Sequence, residues 1–272
     1  MNDILAEVNR QKGMDLRQYR QDMLQRRVLD RMARIQTDDP EIYLKILQSN
    51  PLECQALINH IGVNVSSFFR DPIVFEIIEQ SLLPPIMIQK RRSTHKEIRI
   101  WSIGCAAGEE AFSLAILIHR AVENEKNDWK SYIFATDIDT DALEAAAKGV
   151  YPRESFASTK LEILDKYFIR EGNGYQVCPA IKTMVHFSRE DCASSKILAP
   201  ADSVFGSFDL VLCRNLLIYF SKECQKSVFE KLFNVLVPNG FLILGDSEIL
   251  GSEIESRFKT IDSRNRIFQK TG

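Results

Sequence analysis

The chain has 272 residues and a mass of 31.2 kDa, with 45% hydrophobic and 26% charged side chains, a balance that excludes a disordered or collagen-like chain. Its 35 basic and 37 acidic residues leave a formal charge of −2, too little positive charge for a protein that coats nucleic acid. The longest charge-free run, residues 54–69, is too short and too polar to span a bilayer, and the N-terminus has no apolar stretch of the secretory kind. The six cysteines form no C-x-x-C pair and the four histidines are scattered. Neither a metal site nor a disulfide framework is expected, and a reducing cytoplasm is the expected setting.

The first 75 or so residues read as helical. Residues 17–35 contain no Gly or Pro, and Leu24, Val28, Met32 and Ile35 form one apolar stripe. Thr37-Asp38-Asp39-Pro40 predicts a stop and a new N-cap, followed by a helix over residues 41–48, and Pro51 opens another. From about residue 97 strands and helices alternate: strand 98–102, turn 104–108, helix 109–124, strand 131–136 ending at Asp137, helix 141–148. Further on, a buried-type strand spans 208–213 and a helix spans 221–236, closed by Pro238-Asn239-Gly240. Late strands follow at 241–244 and 266–269. This alternation implies a parallel sheet covered by helices on both faces, with an antiparallel end. Between residues 151 and 189 the pattern breaks, with a helix over 160–168 and a hairpin signal at Gly172-Asn173-Gly174. A small β insertion is expected there, over about residues 151–185.

The turn 104–108 lies where a doubly wound sheet places a cofactor. It lacks the G-x-G-x-x-G fingerprint of dinucleotide sites. Instead, Glu109 and Glu110 stand at the helix N-terminus, where phosphate sites keep the amides free. Two carboxylates there repel a pyrophosphate and tolerate a cationic nucleoside, and S-adenosylmethionine (SAM) has that chemistry. Asp137, in A-T-D-I-D, can accept hydrogen bonds from ribose hydroxyls or serve as a local cap.

The sequence resembles the chemotaxis receptor glutamate methyltransferases, the CheR family, over nearly its whole length. The resemblance rests on N-V-S-S-F-F-R-D (64–71), W-S-I-G-C-A-A-G-E-E (101–110), A-T-D-I-D-T (135–140), F-D-L-V-L-C-R-N-L-L-I-Y-F (208–220) and G-F-L-I-L-G-D-S-E (240–248). It implies an α/β fold: an all-helical N-terminal domain over residues 1–75, then a Rossmann-like SAM-dependent methyltransferase domain over 76–272 carrying the β-subdomain insertion. It implies that Asn64, Ser66 and Arg70 contact SAM and wall the active site. Glu110, with Glu109, would hold its methionine or adenosine portion, and Asp137 its ribose. Arg214 and Asn215 would close over it, and Tyr219 would face the transferred methyl, with Arg70 orienting the acceptor. The chain departs from the family pattern at Ala111 (usually Pro), at Asp191-Cys192 (an Asn-Leu pair near the adenine) and at Ser66 (usually Thr).

The implied reaction esterifies a glutamate carboxylate, which is ionised at neutral pH and needs no general base. The implied partner is the cytoplasmic methylation region of a receptor coiled coil. It would dock on the basic face formed by Arg20, Arg27, Arg31 and Arg34; residues 17–34 carry a local charge of +4. Nucleic acid fits this face poorly, because no aromatic platform accompanies it, and direct membrane insertion is not expected. The short Gly172–Gly174 loop favours a version that does not need a receptor's C-terminal peptide as a tether. Methylation of another protein or a small molecule, and a catalytically idle SAM-binding regulator, remain the alternative readings.

Overall fold

The computed structural model describes residues 1–14, 16–62, 66–92, 96–123, 125, 129–194, 199–200, 203 and 207–272. Helices α1 (Asn2–Lys12), α2 (Gln21–Arg34), α3 (Pro40–Ser49) and α4 (Pro51–Ile61) form the N-terminal helical layer. Their ends follow the sequence closely. Asp39 accepts the Glu41 N–H at 2.8 Å and Asn50 accepts the Leu52 N–H at 3.1 Å, each with proline in the first turn that follows. The apolar stripe is buried as expected: Leu24, Val28 and Met32 are each at most 1% exposed.

One expectation fails here. Residues 17–20 are not the start of α2. Leu16–Gln18 forms a 3₁₀ turn, and Tyr19 makes an antiparallel bridge to Phe220. The Arg20 N–H donates to the Tyr219 carbonyl at 2.9 Å and the Ser221 N–H to the Gln18 carbonyl at 2.9 Å. The backbone groups that would have begun a helix are taken by a segment two hundred residues away, and tertiary pairing overrides propensity.

Helices α5 (Pro72–Ile77) and α6 (Leu83–Arg91), joined by a π turn, lead into the main sheet. Its elements in chain order are β1 (Glu97–Ile103), α7 (Glu109–Val122), β2 (Lys130–Asp137) and α8 (Thr140–Lys148). A small antiparallel sheet follows, made of β3 (Val150–Pro152), β4 (Phe168–Glu171) and β5 (Gly174–Val177), with α9 (Leu161–Tyr167) between β3 and β4. The chain continues with α10 (Pro179–Lys182), β6 (Val185–Arg189), β7 (Phe208–Cys213), α11 (Lys222–Val235), β8 (Leu236–Leu244), α12 (Ser252–Glu255), β9 (Phe258–Asp262) and β10 (Ile267–Lys270).

The main sheet has the order β6-β2-β1-β7-β8-β10-β9. Strands β6, β2, β1, β7 and β8 are parallel; β10 runs antiparallel to both β8 and β9. The antiparallel end was legible; β9 was not expected. The helix expected to reach Pro238 stops at Val235. There β8 begins, and its register jumps from Phe208↔Leu236 to Leu210↔Phe241. The Pro-Asn-Gly signal marks a bulge inside the strand, with Asn239 at φ 63°.

Two hydrophobic layers flank the sheet. One holds the N-terminal helices with Trp101, Phe208 and the apolar face of α11. The other holds α5, α6, α7 and the small sheet. Phe68 plugs the small sheet, its ring 4.8–4.9 Å from those of Tyr151, Phe156 and Phe168. Among the described residues, no helix is long and apolar enough to cross a membrane.

Candidate active site

The carboxyl ends of β1, β2 and β7 open on one cavity of about 220 Å³. It sits beside β1, where the chain's connections leave in opposite directions, the usual ligand crevice of such sheets.

Its first wall is the turn after β1. The Gly104 and Cys105 N–H groups donate to the Thr136 carbonyl at 2.8 and 3.0 Å, tying the turn to β2. Asp137, at the end of β2, accepts from the Ala106 N–H at 2.8 Å and the Asp139 N–H at 2.9 Å. Burial raises the pKa of its carboxyl, and these two amides oppose the shift. Each oxygen still has acceptor capacity for a ligand hydroxyl. The two glycines of the turn serve different ends. At Gly104 (φ 70°) a Cβ would stand 3.1 Å from Leu216, across the cavity lining. At Gly108 (φ 91°) it would stand 2.9 Å from Ala146 and from the Phe187 ring, so glycine lets α7 pack closely on α8 and β6.

The two acids at the α7 N-terminus part company. Glu110 lines the cavity, accepts the Ser102 hydroxyl at 2.8 Å and pairs with Arg214 at 3.1 Å. Glu109 does not line it. It is 5% exposed, accepts the Ser66 hydroxyl, and keeps one oxygen without a partner among the described residues. Burial raises its pKa.

The second wall consists of residues 66–71 and 214–219. Ser66, Arg70, Arg214, Asn215 and Tyr219 all line the cavity; Asn64 lies outside the described residues. The 66–71 segment is fixed from both sides: the Phe68 N–H donates to the Ser155 carbonyl at 2.9 Å and the Phe69 N–H to the Ser113 hydroxyl at 3.0 Å. Phe69 and Asp71 adopt left-handed φ of 54° and 60°, a fold-back that bulky side chains rarely make. Arg214, 7% exposed, grips Asp71, Glu110 and the Arg70 carbonyl together. Its guanidinium therefore braces the two walls. Tyr219 is partly exposed; burial raises its phenol pKa, while Arg27 and Arg70 oppose the shift.

A family model described as "CheR methyltransferase, SAM binding domain" matches residues 64–267, and one described as "CheR methyltransferase, all-alpha domain" matches residues 1–61. The chain belongs to the CheR methyltransferase family. A chemotaxis protein methyltransferase of Salmonella typhimurium is 33% identical over 243 residues, which are 87% of this chain and 78% of that one. One of Escherichia coli is 31% identical over 248 residues, 90% and 82% of the respective chains. An uncharacterised 104.1 kDa protein of Rhodobacter capsulatus is 33% identical over 92% of this chain, which spans only 25% of that protein's length.

As a CheR methyltransferase, the protein uses SAM, and its cavity suits that ligand. Glu110, Asp137 and Asp139 place carboxylates along one side, favouring a sulfonium and an α-amino group. Ile58, Ile61, Phe75 and Ile138 supply apolar surface for the rest. Asp191 and Cys192 do not line the cavity. They sit behind Tyr19, whose phenol pKa burial raises and whose electrostatic neighbours are Cys192, Asp191 and Asp137. Sequence reasoning missed Tyr19, Met14, Ile58 and Ile61, which come from the helical layer and close the cavity. No local pattern marks them.

The four docking arginines are not equivalent. Arg31 donates to both oxygens of Glu53 at 2.8 and 2.6 Å, and Tyr43 adds its hydroxyl at 3.1 Å, so Arg31 belongs to the helical core. Arg20 pairs with exposed Asp22 at 2.7 Å. Arg34 is exposed. Arg27 is half-buried, acts on Tyr219, and its Nε lacks a partner among the described residues.

Proposed function

We propose that the protein esterifies glutamate side chains on the cytoplasmic methylation helices of chemoreceptors or similar signalling coiled coils. The observation that carries this reading is the convergence of Arg70 and Tyr219 on an acid-lined SAM cavity that holds no general base. Among the described residues no histidine lines it, and burial pushes the Cys105 thiol well above its ordinary range. A carboxylate acceptor, with its ordinary pKa near 4.3, arrives ionised and has no proton to lose. Bound SAM supplies an electrophilic methyl on a sulfonium. Asp137 would hold the ribose, Glu110 the methionine end, and residues 214–216 the opposite side. Arg70 offers the incoming carboxylate a charge-assisted hydrogen bond, and Tyr219 steers it without adding charge. The walls exclude water, which stabilises separated charges more than the neutralising transition state, and so favour transfer. Placement of the oxygen in line does the rest.

The acceptor would approach over α2, led by Arg27 at the rim and by Arg20 and Arg34; Arg31 contributes by holding the helix in place. Incubating the protein with receptor and tritiated SAM tests the reading. Label released as methanol by mild base is the expected result. Base-stable label would assign methylation of nitrogen, and no label on receptor would leave only the cofactor reading standing.

A further inference from the structure

The turn that carries Tyr219 is held by two side chains that the methyl-transfer reading does not use. Glu248, 3% exposed, points its carboxylate into the turn after β7. It accepts from four amides: Gly245 at 2.6 Å, Leu217 at 2.7 Å, Leu216 at 2.8 Å and Asn215 at 3.1 Å. Among the described residues it forms no ion pair, so its charge is met by backbone dipoles. On the other side, the Gln225 amide of α11 donates to the Leu217 carbonyl at 2.8 Å and the Phe220 carbonyl at 3.1 Å. The turn needs such bracing. Asn215 sits at φ 59°, and Leu217–Tyr219 is a single 3₁₀ turn with little stability of its own. Gly245 completes the fit, because a Cβ there would stand 2.8 Å from the Asn215 nitrogen.

We propose that Glu248 and Gln225 are positioning residues for the methyl-transfer site, acting on opposite ends of one turn. Glu248 fixes the backbone of residues 215–217, where Asn215 and Leu216 line the cofactor cavity; Gln225 fixes the carbonyls that flank Tyr219. The inference rests on Tyr219 acting on the acceptor, so its test includes readouts that need no acceptor.

Glu248→Gln keeps the shape but turns an NH₂ group toward amide donors, and Gln225→Met keeps the length but removes the donor. The measurements are S-adenosylhomocysteine affinity by calorimetry, hydrogen exchange of amides 215–217, and kcat with receptor, each also in a Tyr219→Phe background. Glu248→Gln is expected to weaken S-adenosylhomocysteine about tenfold and to speed exchange of those amides. Gln225→Met is expected to lower kcat about tenfold in the parent and less than about twofold beside Tyr219→Phe, with binding unchanged. A role in general stability predicts instead the same loss of kcat in both backgrounds, and that result would overturn the Gln225 assignment. Unchanged binding and exchange in Glu248→Gln would overturn the Glu248 assignment. Should Glu248→Gln not fold, the Gln225→Met cycle decides alone. If receptor glutamates prove not to be acceptors, the proposed substrate fails, while binding and exchange still decide the bracing of the turn.

Discussion

The two walls of the cavity are built differently. The first, residues 104–110 with Asp137, consists of consecutive residues at the ends of regular elements, and its hydrogen bonds run between neighbouring parallel strands. The second gathers Arg70, Arg214 and Tyr219 from irregular segments. It is fixed by single side chains reaching across the chain: Arg214 to Asp71 and Glu110, Glu248 to residues 215–217. The first wall binds through shape already present in the sheet. The second positions through a few charge-assisted bonds, each replaceable by no neighbour. Binding and positioning should therefore fail separately when the walls are altered.

The largest expected effect falls on the first wall. Asp137→Ala removes the carboxylate that holds the Ala106 and Asp139 amides and faces the cavity. S-adenosylhomocysteine affinity measured by calorimetry should fall about a hundredfold, the size of two lost hydrogen bonds to a charged group. On the second wall the loss should appear in turnover. Tyr219→Phe should lower kcat about tenfold and leave S-adenosylhomocysteine affinity within about twofold, since one orienting hydroxyl is lost. Equal losses in both would mean that the two walls do not divide the work.

The helical layer offers the same contrast within one helix. Arg31→Ala leaves the mostly buried Glu53 without its cation and should destabilise the fold by about 3 kcal/mol near neutral pH. Arg31 lowers the Glu53 pKa, so the pair's contribution is present above the ordinary carboxylate range and is lost as pH falls through the lowered value. Thermal melts should accordingly converge in acid. Arg27→Glu should leave the melt nearly unchanged and raise the KM for receptor several-fold at low salt, with the difference shrinking as salt is added. A smaller effect is expected at Glu109. Burial raises its pKa in the folded state, so ionisation disfavours folding above that value, and below the unfolded value the cost vanishes. Glu109→Gln should melt slightly higher than the parent at pH 7–8 and lose that advantage as pH approaches 4.

What could be read from the sequence follows the same division. The turn, the acids and Asp137 announce themselves because strand, glycines and helix start lie within a few residues of each other. So do the caps at Asp39, Asn50 and Asp139. The parallel sheet with its antiparallel end was legible from alternation alone. The failures are long-range. Nothing local distinguishes Arg31, which is committed to Glu53, from Arg27, which stands at the cavity rim; both recur at helical spacing. Tyr19 sits in a stretch that reads as helix until Phe220 claims its backbone. Pro238-Asn239-Gly240 carries the chemistry of a helix stop, and only pairing with β7 makes it a bulge. Glu248 ends a motif that marks the family, but its task becomes visible only once residues 215–217 are placed beside it.

The central claim is that this cavity orients an acceptor that is already ionised, rather than removing a proton from it. The pH dependence of kcat/KM with receptor tests it most directly. A profile that is flat from about pH 6 to 8.5, well above the ordinary carboxylate pKa, is expected for the parent and, at a lower level, for Tyr219→Phe. A rise through an apparent pKa near 7 that disappears in Tyr219→Phe would show a proton transfer at this site and contradict the account.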